Sequence, residues 1–280
     1  MVDIAHQSFS EANNLLIQLK DGLTLFFILP SQLNERYKKI IELSNKAACI
    51  YLENKLIIEA INSYRLKAIA EERSGLYQDY AKTMIIIGDL TDNDLSVIHY
   101  YNAYRKLKKG KDQKSIIGIY TKIIMCHQKI HNYEEIIDFS NEFLEKHSLE
   151  FDRINYVKEI LADSYFKKQL YQESKNIMDK LLSDYQFFPL KMRLCNHLIF
   201  RTILCLLVIK NISDLKKVFF DYIKSYQTFC FSSYAKIIKI IIDSILEKNE
   251  CKYSEILKQH HWCDECEEFT LLLIRYIYFY

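Results

Sequence analysis

Glycine and proline are scarce in this sequence, whose 280 residues include 5 glycines and 2 prolines. The usual frequencies are about 7% and about 5%. Chains rich in β-strands, and nucleotide-binding α/β chains, need many of both residues in their turns, whereas helices joined by short polar links need few. Because apolar residues also recur at helical spacing nearly throughout the chain, the sequence predicts an all-α protein.

Short polar links divide the chain into predicted helices. Most links are two to five residues long, which is the length of tight helix–helix turns. Four polar residues stand near predicted helix starts as candidate N-caps: Ser31, Asp92, Asn132 and Ser213. The predicted helices cover residues 8–20, 33–52, 54–72, 76–88, 93–108, 113–128, 133–147, 152–168, 171–184, 189–209, 213–226, 230–248, 252–260 and 265–278.

Four segments repeat one pattern, an aromatic residue or leucine followed by polar residues and then by apolar positions. They begin at Leu95, Tyr133, Tyr171 and Leu215, at intervals of 38, 38 and 44 residues. One helical hairpin per roughly 34–45 residues is typical of tetratricopeptide-like solenoids. We therefore predict a right-handed superhelix of antiparallel hairpins over 1–228 and a C-terminal helical bundle over 229–280, in one continuous elongated unit.

Charge and composition argue against several classes of protein. The net charge of +2 does not single out nucleic acid as a partner. The apolar run LTLFFIL is shorter than the roughly 20 residues that span a bilayer, and it comes too late for a signal peptide. The 8 cysteines are mostly scattered through apolar segments, which predicts reduced, buried thiols in an intracellular protein.

The motifs that carry catalysis are missing from the sequence. It contains no P-loop, GxGxxG, HExxH or GxSxG, so we expect neither an enzyme nor a cofactor. The segment HHWCDEC leaves an alternative open, because thiolate and imidazole groups can complete a tetrahedral zinc site. Its candidate ligands are His260, His261, Cys263 and Cys266. If they bind no zinc, these side chains are structural or incidental.

The order of features along the chain resembles the SNAP family, the soluble NSF attachment proteins, and is closer to the alpha form. AHQSFSEANNLLIQLKDGLTLFF resembles the first helix of the family and its Phe-rich loop. GLYQDYAKTMIIIGDL and HNYEEIIDFSNEF resemble later hairpins, and DSILEKNECKYSEILKQ resembles the C-terminal bundle. The similarity runs colinearly over roughly 7–277.

This resemblance implies an adaptor. SNAP proteins wrap the SNARE four-helix bundle left after membrane fusion and recruit the hexameric ATPase NSF, which pulls the bundle apart. Basic residues face the acidic SNARE surface, acidic residues face NSF, and the Phe-rich loop contacts the membrane. The expected location is cytoplasmic, with peripheral attachment to membranes. The alternative is a general tetratricopeptide-like scaffold that binds a peptide or another helical protein.

The resemblance also assigns residues to these contacts. The membrane loop would use Leu25, Phe26, Phe27, Ile28 and Leu29, which alternatively join the first two helices by a hydrophobic contact. SNARE contacts would come from Lys82 and Lys122, and because Gly118 replaces a family lysine, we expect Arg105, Lys108 and Lys109 to substitute. Alternatively, that basic segment is simply a solvated helix end with no binding role. NSF contacts would come from Asp243, Glu247 and Glu250.

The last residues, IRYIYFY, differ from the short acidic tail and penultimate leucine with which family members stimulate NSF. We therefore expect either that another residue takes over the stimulation or that this protein recruits NSF without stimulating it.

Overall fold

The computed structural model describes residues 1–19, 28–91, 95–107, 113–186, 188–209, 212–259 and 265–280. Within these ranges every regular element is a helix and no strand occurs, so the predicted all-α class is confirmed. The chain divides into two compact units, Met1–His131 and Asn132–Tyr280, here called unit 1 and unit 2. The predicted division between 228 and 229 stays a prediction.

The helices of each unit, within the described residues, are as follows. Unit 1 contains α1 (Val2–Gln18), α2 (Pro30–Glu53), α3 (Ile57–Arg73), α4 (Tyr77–Leu90), α5 (Leu95–Leu107) and α6 (Gln113–Lys129). Unit 2 contains α7 (Tyr133–Lys146), α8 (Phe151–Lys167), α9 (Tyr171–Tyr185), a 3₁₀ turn (Pro189–Lys191), α10 (Met192–Val208), α11 (Ile212–Ser225), α12 (Gln227–Cys230), α13 (Ser233–Leu246), α14 (Glu250–Gln259) and α15 (Glu265–Phe279).

The repeat in the sequence corresponds to helix starts. Leu95, Tyr133 and Tyr171 are the first residues of α5, α7 and α9, and Leu215 is the fourth residue of α11. Each interval therefore contains two helices, and neighbouring helices within each unit pack against one another. The predicted hairpin organisation is confirmed.

Some local predictions were wrong. Helix α1 begins at Val2 instead of residue 8, and the short helix α12 was not predicted.

The four predicted N-caps have different outcomes. Ser31 lies inside α2, because Pro30 takes the first helical position, where its missing N–H costs nothing. Asn132 does cap α7, since its side chain accepts a hydrogen bond from the Glu135 N–H. Ser213 is the second residue of α11, and Asp92 lies outside the described residues.

Four connections close with the same backbone turn. A residue with positive φ follows the first helix, and the N–H of the next residue donates to a carbonyl five positions back, as in a Schellman motif. The positive-φ residues are Lys55, Gly75, Gln169 and Lys248. The returning bonds are Leu56 to Tyr51, Leu76 to Glu71, Leu170 to Tyr165 and Asn249 to Ser244, each 2.8 or 2.9 Å long. This turn satisfies the last carbonyls of one helix just before the next begins.

Unit 1 packs as two rows of helices. Consecutive helices contact one another, and α1 also contacts α3. Ion pairs join alternate helices: Lys106 of α5 lies 2.6 Å from Glu72 of α3, and Lys122 of α6 lies 2.5 Å from Asp89 of α4. We call α1, α3 and α5 the odd row, and α2, α4 and α6 the even row.

Unit 2 is built around α10. All residues from Leu198 to Leu207 are buried, and α10 contacts α9, α11, α12, α13 and α15. A helix that is apolar on every side is stable only when neighbours surround it. The segment HLIFRTILCLLVI is therefore a central core helix, and its one charged residue, Arg201, is buried with it.

Candidate protein-binding surfaces

The apolar loop near the start of the chain is only partly described. Leu25, Phe26 and Phe27 lie outside the described residues. Ile28 packs against a core cluster formed by α1, α2 and α3, whereas Leu29 is exposed just before α2. In the described part of the chain, no helix is both long and apolar enough to cross a membrane.

Lys82 and Lys122 both lie in the even row of unit 1. Lys82 of α4 is exposed, and its ammonium lies 3.0 Å from Asp79 one turn earlier. Lys122 of α6 pairs with Asp89 of α4, and its ammonium lies 5.5 Å from the centre of the Tyr100 ring. Both lysines therefore line grooves between helices of the same row.

Of the remaining predicted SNARE contacts, the structure describes only Arg105. Arg105 is exposed on α5, which belongs to the odd row. Lys108 and Lys109 lie outside the described residues. Arg105 therefore faces solvent from a different row than Lys82 and Lys122.

The solvent face of α6 is cationic. It carries Lys114, Gly118, Lys122, Met125 and Lys129, which follow one another at spacings of four, four, three and four residues. Such spacing places side chains on one side of a helix. Gly118 lies in the middle of this face, and no atom lies within 4 Å of where its Cβ would be, so a larger side chain fits there.

A groove of about 470 Å³ lies between α4 and α6. The Tyr100 hydroxyl donates a 2.7 Å hydrogen bond to Asp89 Oδ1 inside it. Burial, together with this bond, raises the pKa of Tyr100. The Tyr100 ring lies against Gly88, where a Cβ would come within 2.5 Å of its Cε1 atom. Glycine is thus required at this contact between α4 and α5.

A second groove, of about 420 Å³, lies between α2 and α4 and includes Glu71 of α3. Its charge is mixed, because Asp79 lies beside Lys82 and Glu71 beside Lys67. The Glu71 side chain is only 2% exposed. One of its carboxylate oxygens, Oε2, has no hydrogen-bond partner among the described residues, and the Lys67 ammonium lies 3.8 Å from the other. Burial raises the pKa of Glu71.

The predicted NSF contacts come together where α13 meets α14. Asp243 lies in the last turn of α13, Glu247 caps that helix, and Glu250 begins α14. Glu247 is exposed, and its carboxylate lies 3.1 Å from the ammonium of Lys252. Asp243 and Glu247 are one helical turn apart, so their carboxylates share one side of α13.

Glu250 differs from Glu247, whose carboxylate binds one lysine, because two groups near the end of the chain bind its carboxylate. The Tyr280 hydroxyl donates to Oε1 at 2.6 Å, and Arg275 Nη2 donates to the same oxygen at 2.6 Å. These two hydrogen bonds lower the pKa of Glu250. The contact joins α14 to the last helix and leaves Glu250 less available to a partner.

The sequence analysis missed a buried ionic cluster in unit 2. Arg201 of α10 donates from Nε to Glu267 of α15 at 2.9 Å and from Nη1 to Asp163 of α8. Its guanidinium lies 4.9 Å from the centre of the Phe166 ring, and His197 lies 3.0 Å from Glu267. The one available signal was an arginine inside an otherwise apolar segment, since buried charges require partners.

Most of the candidate zinc ligands fall outside the described residues. His260, His261 and Cys263 lie outside the described residues, and Cys266 is described only as a backbone position in the first turn of α15. Among the side chains that are described, no group of three or more His, Cys, Asp or Glu residues is placed to hold a metal ion. Zinc binding stays an open alternative.

The cysteines are not uniformly buried. Cys195 and Cys205 lie in the core of unit 2, where burial raises their thiol pKa values to about 11 and about 12. Cys49 and Cys251 are exposed, so the prediction of buried thiols is wrong for them. The two core thiols are protonated at neutral pH and therefore unreactive.

Comparisons with known proteins give a weak structural likeness. No protein-family model matches the chain, and no curated protein matches it. Among solved structures, the crystal structure of Get4 from C. therm. aligns with 96% of this chain and 90% of the Get4 chain, at 11% sequence identity and a TM-score of 0.28. A TM-score this low carries no argument about fold or function.

Proposed function

We propose that this protein is an adaptor of the SNAP type, which binds SNARE four-helix bundles and recruits NSF to take them apart, without hydrolysing anything itself. The sequence resemblance first suggested this proposal, and one observation in unit 1 supports it. Lys82 and Lys122, the two lysines that the resemblance assigns to the SNARE bundle, lie in the same row of helices. They are 40 residues apart in the chain, close to the interval that contains two helices, so the hairpin repeat brings both to one row.

The charges of the even row suit an acidic helical partner. Lys114, Lys122 and Lys129 lie on the solvent face of α6. Lys82 and Lys122 already have acidic neighbours, but solvent-exposed ion pairs contribute only about 0–1 kcal/mol. A carboxylate on the partner can therefore replace Asp79 or Asp89 at little cost.

The turn between α13 and α14 is the proposed contact for NSF. Asp243 and Glu247 are the acids we assign to it, because both carboxylates face one side of α13. Glu250 is a weaker candidate, since Arg275 and Tyr280 already bind its carboxylate. Replacing Glu247 is expected to weaken NSF recruitment more than replacing Glu250.

We further propose a cytoplasmic protein that attaches peripherally to membranes through its apolar loop. Phe26 and Phe27 carry this part of the proposal, with help from the exposed Leu29. Full burial of a large apolar side chain contributes about 1.5–3 kcal/mol. Two phenylalanines with partial help from leucine give reversible attachment rather than a permanent anchor.

The SNARE contact can be tested by charge reversal. The dissociation constant for a pre-assembled SNARE four-helix bundle is measured by fluorescence anisotropy for wild type and for Lys82→Glu/Lys122→Glu. Like charges across an interface cost several kcal/mol, so the double variant should bind at least tenfold more weakly. Arg105→Glu is the matched control, because Arg105 lies in the odd row, and it should change the affinity less than threefold.

A gain of affinity provides a second arm. Gly118→Lys restores a lysine at the position where family members carry one, on the open face of α6. It should bind the bundle more tightly than Gly118→Ala and with a steeper salt dependence. Equal affinities for wild type and the Lys82/Lys122 variant would contradict SNARE binding by the even row. The general helical scaffold would then be the remaining interpretation.

A further inference from the structure

Four large apolar side chains are exposed where helices of unit 2 are connected. Leu190 is 98% exposed and Phe231 is 84% exposed, while Phe151 and Phe188 are each a little under half exposed. None of the four lies in the middle of a helix. Phe151 begins α8, Phe188 and Leu190 lie between α9 and α10, and Phe231 lies between α12 and α13.

The packing of the helices places these connections at one end of unit 2. Because α8 and α9 run antiparallel, the start of α8 meets the end of α9, and the rings of Phe151 and Phe188 stack with centroids 5.5 Å apart. The first turns of α10 meet α12 through Asn196, whose amide donates to the Thr228 carbonyl and accepts from the Thr228 hydroxyl. Leu190 precedes α10, and Phe231 follows α12, at this same end.

Cations accompany the two most exposed side chains. Lys191 and Arg193 follow Leu190 in sequence, and Lys236 follows Phe231 in the first turn of α13. The Lys191 ammonium lies 5.1 Å from the centre of the Tyr185 ring, and Arg193 is exposed. Among the residues next to these four side chains in sequence, acids flank only Phe151.

Those acids are Glu150, which pairs with Arg153 at 3.4 Å, and Asp152, which is exposed. They place negative charge beside Phe151, which is therefore the least suited of the four side chains to meet an anionic surface. Leu190 and Phe231, with cations beside them, are the best suited.

We propose that this end of unit 2, the apolar tip of Phe151, Phe188, Leu190 and Phe231, inserts into the interfacial region of a bilayer that contains anionic lipids. Clustered exposed apolar side chains mark protein or membrane contacts. Side chains that project from connections at the end of a helical unit can enter a bilayer together, and neighbouring lysine and arginine groups bind anionic headgroups. The site is independent of Phe26 and Phe27.

Vesicle flotation of the full chain tests the tip. Partition coefficients are measured on phosphatidylcholine vesicles with and without about 30% phosphatidylserine, a composition that gives a negative surface potential. Leu190→Ser/Phe231→Ser should lower the coefficient on the anionic vesicles at least tenfold. Circular dichroism should stay unchanged, because both side chains are exposed. The matched control is Ile58→Ser/Leu95→Ser, which removes two comparably exposed apolar side chains from unit 1 and should float like wild type.

Two further arms separate the tip from other sources of binding. Lys191→Glu/Arg193→Glu should reduce flotation only on vesicles with phosphatidylserine. In a Phe26→Ser/Phe27→Ser background, the tip variant should still lower whatever flotation remains. With Trp262→Phe to remove the one native tryptophan, the fluorescence of Leu190→Trp should be quenched by brominated lipid.

Three results would overturn the proposal. The first is equal flotation of the tip variant and wild type, and the second is absence of quenching at position 190. The third is a fall in molar mass on sedimentation of the tip variant without vesicles, which would assign the tip to contacts between copies of the chain.

Discussion

Two glycines inside helices of unit 1 differ in whether a larger side chain would fit at their positions. A Cβ at Gly88 would lie 2.5 Å from Tyr100 Cε1, whereas one at Gly118 would meet no atom within 4 Å. Alanine at position 88 should therefore lower the free energy of unfolding by about 1–3 kcal/mol through overpacking. Alanine at position 118 should raise it by about 1 kcal/mol through helix propensity. Urea unfolding of both variants measures this, and equal signs would contradict the close packing of α4 on α5.

Two buried glutamates also behave oppositely. Burial raises the pKa of Glu71. For Glu267, burial favours the neutral form, but hydrogen bonds from His197 and Arg201 outweigh it and lower the pKa. A raised pKa gives stability that is present below the unfolded-state pKa and is lost as the pH rises through the folded-state pKa. A lowered pKa gives stability that is present above the unfolded-state pKa and is lost as the pH falls through the folded-state pKa.

We therefore expect Glu71→Gln to raise the free energy of unfolding at pH 7, with a gain that shrinks as the pH falls below the folded-state pKa of Glu71. Glu267→Gln should lower it at pH 7, with a loss that shrinks as the pH falls through the depressed pKa of Glu267. Urea unfolding over a pH series decides both. A destabilising effect of Glu71→Gln at pH 7 would mean that the charged form is stabilised there.

At the scale of elements, three of the four recurring turns place a non-glycine residue at the positive-φ position. Gln169 has φ of 63° between α8 and α9, a conformation that costs a non-glycine residue about 1–2 kcal/mol. Gln169→Gly should raise the free energy of unfolding by up to about 1 kcal/mol, because glycine adopts this conformation without strain. Lys168, the preceding residue with φ of −81°, is the control, and glycine there should destabilise. Thermal and urea unfolding of the two variants should move in opposite directions.

The buried arginine joins three helices of unit 2. Removing one partner of a buried ionic group leaves the others uncompensated, at a cost of about 3–5 kcal/mol. Arg201→Met should cost about this much, because Glu267 and Asp163 would lose their cation. Arg275→Met removes a more exposed pair with Glu250 and should cost much less, because solvent screens such a pair. If both variants lose the same stability in urea unfolding, the Arg201 cluster does not hold α15 to the core.

At the scale of the whole molecule, local patterns predicted the elements well. Leu95, Tyr133 and Tyr171 marked helix starts because apolar periodicity is set by neighbouring residues. The partners of Arg201 were not predictable, since Asp163 is 38 residues away and Glu267 is 66 residues away. No sequence spacing encodes a contact of that kind.

For the candidate surfaces too, sequence could suggest single residues but not which of them the packing of helices brings together. The resemblance grouped Lys82, Lys122 and Arg105 as SNARE contacts, whereas the structure has the two lysines in the even row and Arg105 in the odd row. The apolar tip was missed entirely, because its four residues are spread from 151 to 231 and only the packing of α8, α9, α10 and α12 places them at one end.

Formation of a three-part particle tests the adaptor role most directly. The chain is sedimented with a pre-assembled SNARE four-helix bundle, with and without NSF and a non-hydrolysable ATP analogue. We expect the chain to bind the bundle alone and to bring NSF into a stable particle, which Lys82→Glu/Lys122→Glu should abolish. Absence of the chain from every bundle fraction would contradict the adaptor role and leave a helical-repeat protein with a different partner.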